Sequence, residues 1–339
     1  MSRRDAHVTA GRHGIDWRAH LEMARVDYWF KNVFVLPGIV VALGSIPSET
    51  VSWRAIVLRS LIGLASICLV ASSNYTLNEV LDAPTDRLHP EKRRRPVAIG
   101  RVGPSAAYVQ WMLLCAAGLA VGWRVSPAFA LTVLVLWLMA CAYNVPPLRT
   151  KDVAYLDVLT EAVNNPLRLL AGWYIVTSVT TAPASLLLSY WMIGCYFMAL
   201  KRYAELPSFA GSRQAAEYRR SFAHYTRERL LVAIMFFGSA AMLFFGAFCM
   251  RYRMELILAF PLVALVMAIY LRVAFKADSA AQHPERLYRE RGLMLAVLAT
   301  AGVMLLLFRV DLPAMYRFFT PTAPVQARDL SSRTYSPPT

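Results

Sequence analysis

Nine runs of apolar residues, each roughly long enough to cross a bilayer as a helix, alternate with short polar segments along the chain. They lie near residues 30–47, 54–81, 104–123, 127–145, 153–178, 183–205, 230–249, 254–273 and 292–309. The uncharged stretch from Leu169 to Leu200 exceeds one crossing, and Thr180, Thr181 and Pro183 mark a turn that divides it into two helices. Pro37, Gly38, Gly44 and Pro47 make the first run a retained, bent span and not a cleavable leader. The pattern predicts an all-α integral membrane protein with nine transmembrane helices. Its parts are an N-terminal segment at 1–29, a membrane domain at 30–309 and a tail at 310–339 whose Pro, Ser, Thr and Arg content predicts disorder.

Composition sharpens this picture. Of 339 residues 57% are hydrophobic and 17% charged, against about 25% charged in an ordinary soluble protein, which excludes most cytosolic readings. The formal net charge of +15 admits nucleic acid, anionic lipid or phosphorylated molecules as partners. Most Lys and Arg residues fall on one side of the nine spans: before the first span, near 82–101, at Arg149 and Lys151, at 201–229 and at 272–291. Basic loops stay in the cytoplasm, so the N-terminus is expected there and the C-terminus outside, in a bacterial inner membrane. No basic soluble domain or RNA-reading motif separates from the spans, so nucleic acid is not expected as a partner. Cys68, Cys115, Cys141, Cys195 and Cys249 all sit in apolar runs without metal or disulfide spacing, as small hydrophobes.

Charged residues within this apolar background carry the chemistry. Asn74, Asn78 and Asp82 stand one helical turn apart at the end of the second run. Pro84 is expected to fray that helix so that Asp86 curls back toward them. Such oxygen donors at a membrane edge suit Mg²⁺, which binds through a few carboxylates and the oxygens of a substrate phosphate. Lys92, Arg93, Arg94 and Arg95 follow and supply cations for a diphosphate. The fifth run carries a second polar stripe, Asp157, Glu161, Asn164, Asn165 and Arg168, preceded by Lys151 and Asp152. Charges inside a span face a cavity, pair with one another or do chemistry.

The segment Asn78-x-x-x-Asp82-x-x-x-Asp86, followed by Lys92-Arg93-Arg94-Arg95-Pro96 and Gly100-Arg101, resembles the first Asp-rich motif of the UbiA superfamily of intramembrane prenyltransferases. The resemblance implies nine helices around a cytosol-facing cavity and a Mg²⁺-dependent transfer with a diphosphate leaving group. Tyr28 to Leu36, Leu167 to Gly172 and Leu200 to Leu206 are similar to the decaprenyl-phosphate phosphoribosyltransferase subgroup. Tyr143 to Lys151 resembles the segment leading into the family's second motif, which Asp157 and Glu161 match in part. Two departures are Glu79, where the subgroup carries Asp, and the strong polarity of the fifth run.

On this reading Asn78, Asp82, Asp86, Asp157 and Glu161 are the expected metal ligands, with Asp82, Asp86 and Asp157 central to catalysis. Lys31, Arg95 and Lys151 are expected on the diphosphate. Arg168, Lys201 and Arg202 are expected on the acceptor phosphate, with Tyr203 and Glu205 beside them. The resemblance implies phosphoribosyl diphosphate as the expected donor and a polyprenyl phosphate as the expected acceptor. A prenyl diphosphate donor with an aromatic, quinone-precursor or haem acceptor stays open, as does a transporter or lipid-binding scaffold. His89, His224 and His283 are given no role, and the oligomeric state is not legible.

Overall fold

The computed structural model describes residues 16–47, 49, 51–87, 92–208, 219–276, 279–282 and 284–319, so His89 and His283 lie outside the described residues. Those residues form helices and connecting turns, with no strand among them. The chain begins with α1 (Trp17–Ala24), capped by Asp16, whose carboxylate accepts from the Ala19 N–H at 3.0 Å. Arg25, at φ 49°, ends α1, and a 3-10 segment (Val26–Val35) leads into α2 (Leu36–Gly44). The expected first span therefore begins as 3-10 helix.

α3 (Trp53–Asp86) has 34 residues, and at 1.5 Å per residue it outreaches a hydrocarbon core of about 30 Å. Asn78, Asp82 and Asp86 lie on its last turns. Pro84 does not fray this helix as expected: it lies inside α3, so Asp86 shares the helical face of Asp82. The end is held by Arg87, whose Nε donates to the Ala98 carbonyl at 3.0 Å.

α4 (Pro104–Trp123) packs tightly on α3. Ser66 Oγ donates to the Gly118 carbonyl at 2.7 Å, and a Cβ on Gly118 would lie 2.6 Å from Val70. α5 (Pro127–Asn144) starts at a Ser126 cap. The expected fifth span is broken into α6 (Leu156–Ala162) and α7 (Asn164–Val176). Pro166 explains the break, because it lacks an N–H and its ring crowds the Ala162 carbonyl four residues back. The turn expected near Thr180 separates α7 from α8 (Ala184–Glu205), pinned by Trp173 Nε1 on the Thr180 carbonyl at 2.8 Å.

α9 (Arg227–Tyr252), α10 (Phe260–Ala274) and α11 (Arg291–Leu307) complete the bundle. Residues 313–319, expected to be disordered, form α12 (Pro313–Phe319), anchored where Glu255 accepts from the Leu312 N–H at 3.2 Å. Among the described residues, seven helical stretches are long and apolar enough to cross a membrane. The other two expected spans correspond to the α6–α7 pair and the 17-residue α11. Val232, Met235, Phe236 and Leu243 on α9, with Leu295, Leu298 and Leu306 on α11, point outward and are largely exposed. A water-soluble chain buries such side chains; here they form a lipid-facing surface. The bundle interior instead collects the polar groups.

Candidate active site

The polar groups converge where α3, α5 and α8 end on one face of the bundle. Lys151, in the link between α5 and α6, is buried beneath Asp82. Its Nζ donates to Asp82 Oδ1 at 2.5 Å, to Asn144 Oδ1 at 2.9 Å and, at 3.4 Å, to Asn78 Oδ1. Arg149 adds a second cation, 3.2 Å from the same Asp82 oxygen, and pairs with Asp152 at 3.0 Å. Burial penalises the Lys151 charge and lowers its pKa to about 8, even with Asp82 opposing that shift. Asp86 pairs with Arg95 at 2.6 Å. Glu79 faces the other way and accepts the Val97 N–H at 3.1 Å, fixing the loop that carries Arg95. A Glu where Asp was expected is thus accounted for by a backbone contact.

A second network lies on the α8 side of Tyr143 and Asn144. Asp157, fully buried, accepts from Arg202 Nε at 2.9 Å, from the Tyr225 hydroxyl at 2.5 Å and from Ser221 Oγ at 3.3 Å. Arg202 spends its remaining groups on Glu205, at 2.9 Å, and on the Tyr143 hydroxyl, at 3.4 Å. Burial, reinforced by Asp157, raises the pKa of Tyr225, which keeps its hydroxyl a donor. Asp157 and Arg202 were expected to touch metal and phosphate respectively. In this arrangement each is saturated by protein, because a buried ion pair holds only when its remaining donors and acceptors are also satisfied.

The other expected residues divide. Lys201 stands 3.9 Å from Glu205 and is partly exposed. Arg168, on α7, donates to Asn32 Oδ1 at 3.2 Å, and Asn32 in turn donates to Cys68 Sγ at 3.1 Å, so this intramembrane charge faces the interior. Lys31 lies over the Tyr28 ring at 3.8 Å. Tyr203 packs its ring on Phe275, 5.2 Å between centroids, as part of the apolar core. Glu161 is half-buried and has no ion pair among the described residues. Sequence reasoning missed Asn144, Ser221, Tyr225 and Arg219. Arg219 Nη1 donates to the Tyr143 hydroxyl at 3.0 Å, and its residue had been counted with the loops as a topology signal.

No group of three or more Asp, Glu, His or Cys side chains among the described residues is close enough to hold a metal unaided. Asn74 Oδ1 is nevertheless buried without a hydrogen-bond partner, one turn before Asn78 on the acidic face of α3. A buried, unpaired hard oxygen beside Asn78 and Asp82 suits a cation completed by substrate oxygens.

A lipid-facing helical bundle gathers acidic and basic side chains at one end, as a membrane-embedded site for polar or charged substrates would require. Residues 32–299 match the UbiA prenyltransferase family, and the chain belongs to it. It is 31% identical over 216 residues to a decaprenyl-phosphate phosphoribosyltransferase of Mycolicibacterium smegmatis, covering 62% of this chain and 63% of that one. The decaprenyl-phosphate phosphoribosyltransferase of Mycobacterium tuberculosis is 32% identical over 225 residues, covering 66% of this chain and 70% of that one. Among solved structures, a UbiA homolog from Archaeoglobus fulgidus bound to GPP and Mg²⁺ superposes with a TM-score of 0.64 at 20% identity, covering 86% of this chain and all of that one. The fold is accordingly UbiA-type, and the chain is an integral membrane transferase.

Proposed function

We propose that this UbiA-family enzyme transfers a 5-phosphoribosyl group from phosphoribosyl diphosphate to a polyprenyl phosphate. The observation that carries the reading is the pairing of an acidic face, Asp82 and Asp86, with cations from two separate segments, Arg95 on Asp86 and Arg149 with Lys151 on Asp82, while Lys201 pairs with Glu205 on α8. Two phosphorylated substrates repel each other, and separate cationic groups on one site offset that repulsion. Similarity to the two mycobacterial phosphoribosyltransferases supports the choice of donor.

Asn78, Asp82 and Asp86, with Asn74, are the residues that would hold Mg²⁺, and Glu161 is the remaining acidic candidate. Bound there, the ion supplies charge stabilisation to the departing diphosphate. Lys151 and Arg149 hold Asp82 in place and oppose the charge of the phosphate oxygens. The bond between the ribose anomeric carbon and the diphosphate oxygen breaks, and diphosphate keeps the electron pair. A lipid phosphate oxygen forms the new bond to that carbon. Because the acceptor is already an anion, no strong general base is required. Lys201 and Arg168 are assigned to the acceptor side, and the polyprenyl tail lies among apolar helices.

The test uses purified protein in lipid nanodiscs with ribose-labelled phosphoribosyl diphosphate, polyprenyl phosphate and Mg²⁺. Label should enter the organic phase, and EDTA or Asp82→Asn should reduce the rate at least about a hundred-fold, the size of one lost electrostatic stabiliser. Label transfer indifferent to both treatments would overturn the assignment of the acidic face.

A further inference from the structure

The link between α5 and α6 that carries Arg149 and Lys151 includes backbone conformations that residues other than glycine avoid. Arg149 stands at φ 28°, and Tyr155 at φ 66° with ψ −36°. Such a link keeps its shape only where its surroundings impose it. At its start Arg149 Nη1 donates to the Asn144 carbonyl at 3.3 Å, and further along the Thr150 and Thr160 hydroxyls meet at 2.9 Å. At its end the Tyr155 N–H, an orphan donor ahead of α6, donates to the Tyr225 hydroxyl at 2.8 Å, and the two rings meet edge to face with centroids 5.5 Å apart. Tyr225 donates in turn to Asp157 Oδ1 at 2.5 Å, so one buried hydroxyl ties Tyr155 to the first turn of α6. Buried Ser221 and Phe222 and the start of α9 at Arg227 fix Tyr225 from behind. The link presents two cations to one atom: Lys151 at 2.5 Å and Arg149 at 3.2 Å both meet Asp82 Oδ1. Asp82 Oδ2 has no ion pair or hydrogen bond among the described residues.

We propose that Tyr225 is a positioning residue of this site: by holding Tyr155 and Asp157 together it keeps the link in the shape that sets Arg149 and Lys151 on Asp82 Oδ1 and leaves Oδ2 for the metal. Tyr225 acts through the link and not by contact with substrate. A hydroxyl is needed there because one atom must accept from an amide and donate to a carboxylate at once. Misplacing a charged group in such a site by about 1 Å is enough to lose much of its effect. Asp157 gains a part in the site as the acceptor that orients this hydroxyl. The inference rests on Asp82 serving the diphosphate, as proposed above, and not on which group is transferred.

The experiment measures binding of Mn²⁺ with inorganic diphosphate to full-length protein in nanodiscs by electron paramagnetic resonance, well below the melting temperature of each variant. Tyr225→Phe should weaken binding about ten-fold, the size of one lost hydrogen bond to a charged group. In a chain already carrying Arg149→Gln and Lys151→Met, the same Tyr225→Phe change should have no further effect, because the link then has no cation to present. A merely structural hydroxyl costs the same in both backgrounds. Equal penalties in the two backgrounds, or wild-type affinity in Tyr225→Phe, overturn the proposal. Should any of these variants lose its thermal transition, amide exchange in the wild type decides. Linkage is reciprocal, so Mg²⁺ with diphosphate must slow exchange at the Tyr155 N–H, and equal rates with and without them overturn the proposal. Asp82→Asn that binds as tightly as wild type would remove the Asp82 reading and this proposal with it, whereas equal penalties leave that reading standing.

Discussion

Asp157 and Asp82 look alike in the sequence, each an acid at the polar end of an apolar run, yet their surroundings separate them. Asp82 keeps an outward aspect and meets Lys151 and Arg149, whereas Asp157 is enclosed by Arg202, Ser221 and Tyr225. Removing one member of a buried charge pair costs about 3–5 kcal/mol, toward the lower end here because Glu205 still holds Arg202. Asp157→Asn is thus predicted to lower the melting temperature in nanodiscs while leaving Mn²⁺ affinity, read by electron paramagnetic resonance, unchanged. Lost Mn²⁺ binding at an unchanged melting temperature would make Asp157 a metal ligand after all. The first motif was legible because its donors repeat every four residues on one helix. The partners of Asp157 were not: they stand 45, 64 and 68 residues away in sequence, and nothing local joins them.

Helix placement was readable from hydropathy, since a bilayer demands long apolar runs whatever their neighbours. Interruptions were harder to place. Pro84 and Pro166 carry the same local instruction, yet only the second coincides with a helix break, because the end of α3 is held from outside by Arg87. The crossing of α2 and α7 depends on absent side chains. A Cβ on Gly38 would fall 1.9 Å from the Leu169 carbonyl oxygen, and one on Gly172 would fall 2.1 Å from that of Val35. Both obstacles are backbone and cannot swing aside. Gly172→Ala is predicted to destabilise the protein by at least about 1–3 kcal/mol, the usual cost of overpacking, and to disturb Arg168 one turn away. Gly302→Ala, with nothing near its Cβ, should be neutral or slightly stabilising. Thermal unfolding of the two variants side by side checks this, and equal melting temperatures would contradict the packing argument.

At the scale of the whole molecule, the loops richest in Lys and Arg, including 92–95, lie at the end of the bundle that holds the site. From the same charge asymmetry we propose that this end faces the cytoplasm, where phosphoribosyl diphosphate would be met, and that α12 lies on the other side. A cysteine at Arg93 should be labelled by an impermeant maleimide only in inverted vesicles, and one at Arg317 only in intact spheroplasts. The reverse pattern would overturn the orientation. Net charge and charge placement were legible from the start; what the fold added was their convergence, with α3, the 145–155 link and α8 each bringing a cation or acid to one place. The most direct test of the resulting account is a single-pot competition. Purified protein with Mg²⁺ receives phosphoribosyl diphosphate, polyprenyl phosphate, polyprenyl diphosphate and an aromatic acceptor together, and the lipid products are weighed by mass spectrometry. The account predicts polyprenyl phosphate heavier by one phosphoribosyl group, and a product consisting solely of prenylated aromatic would contradict it.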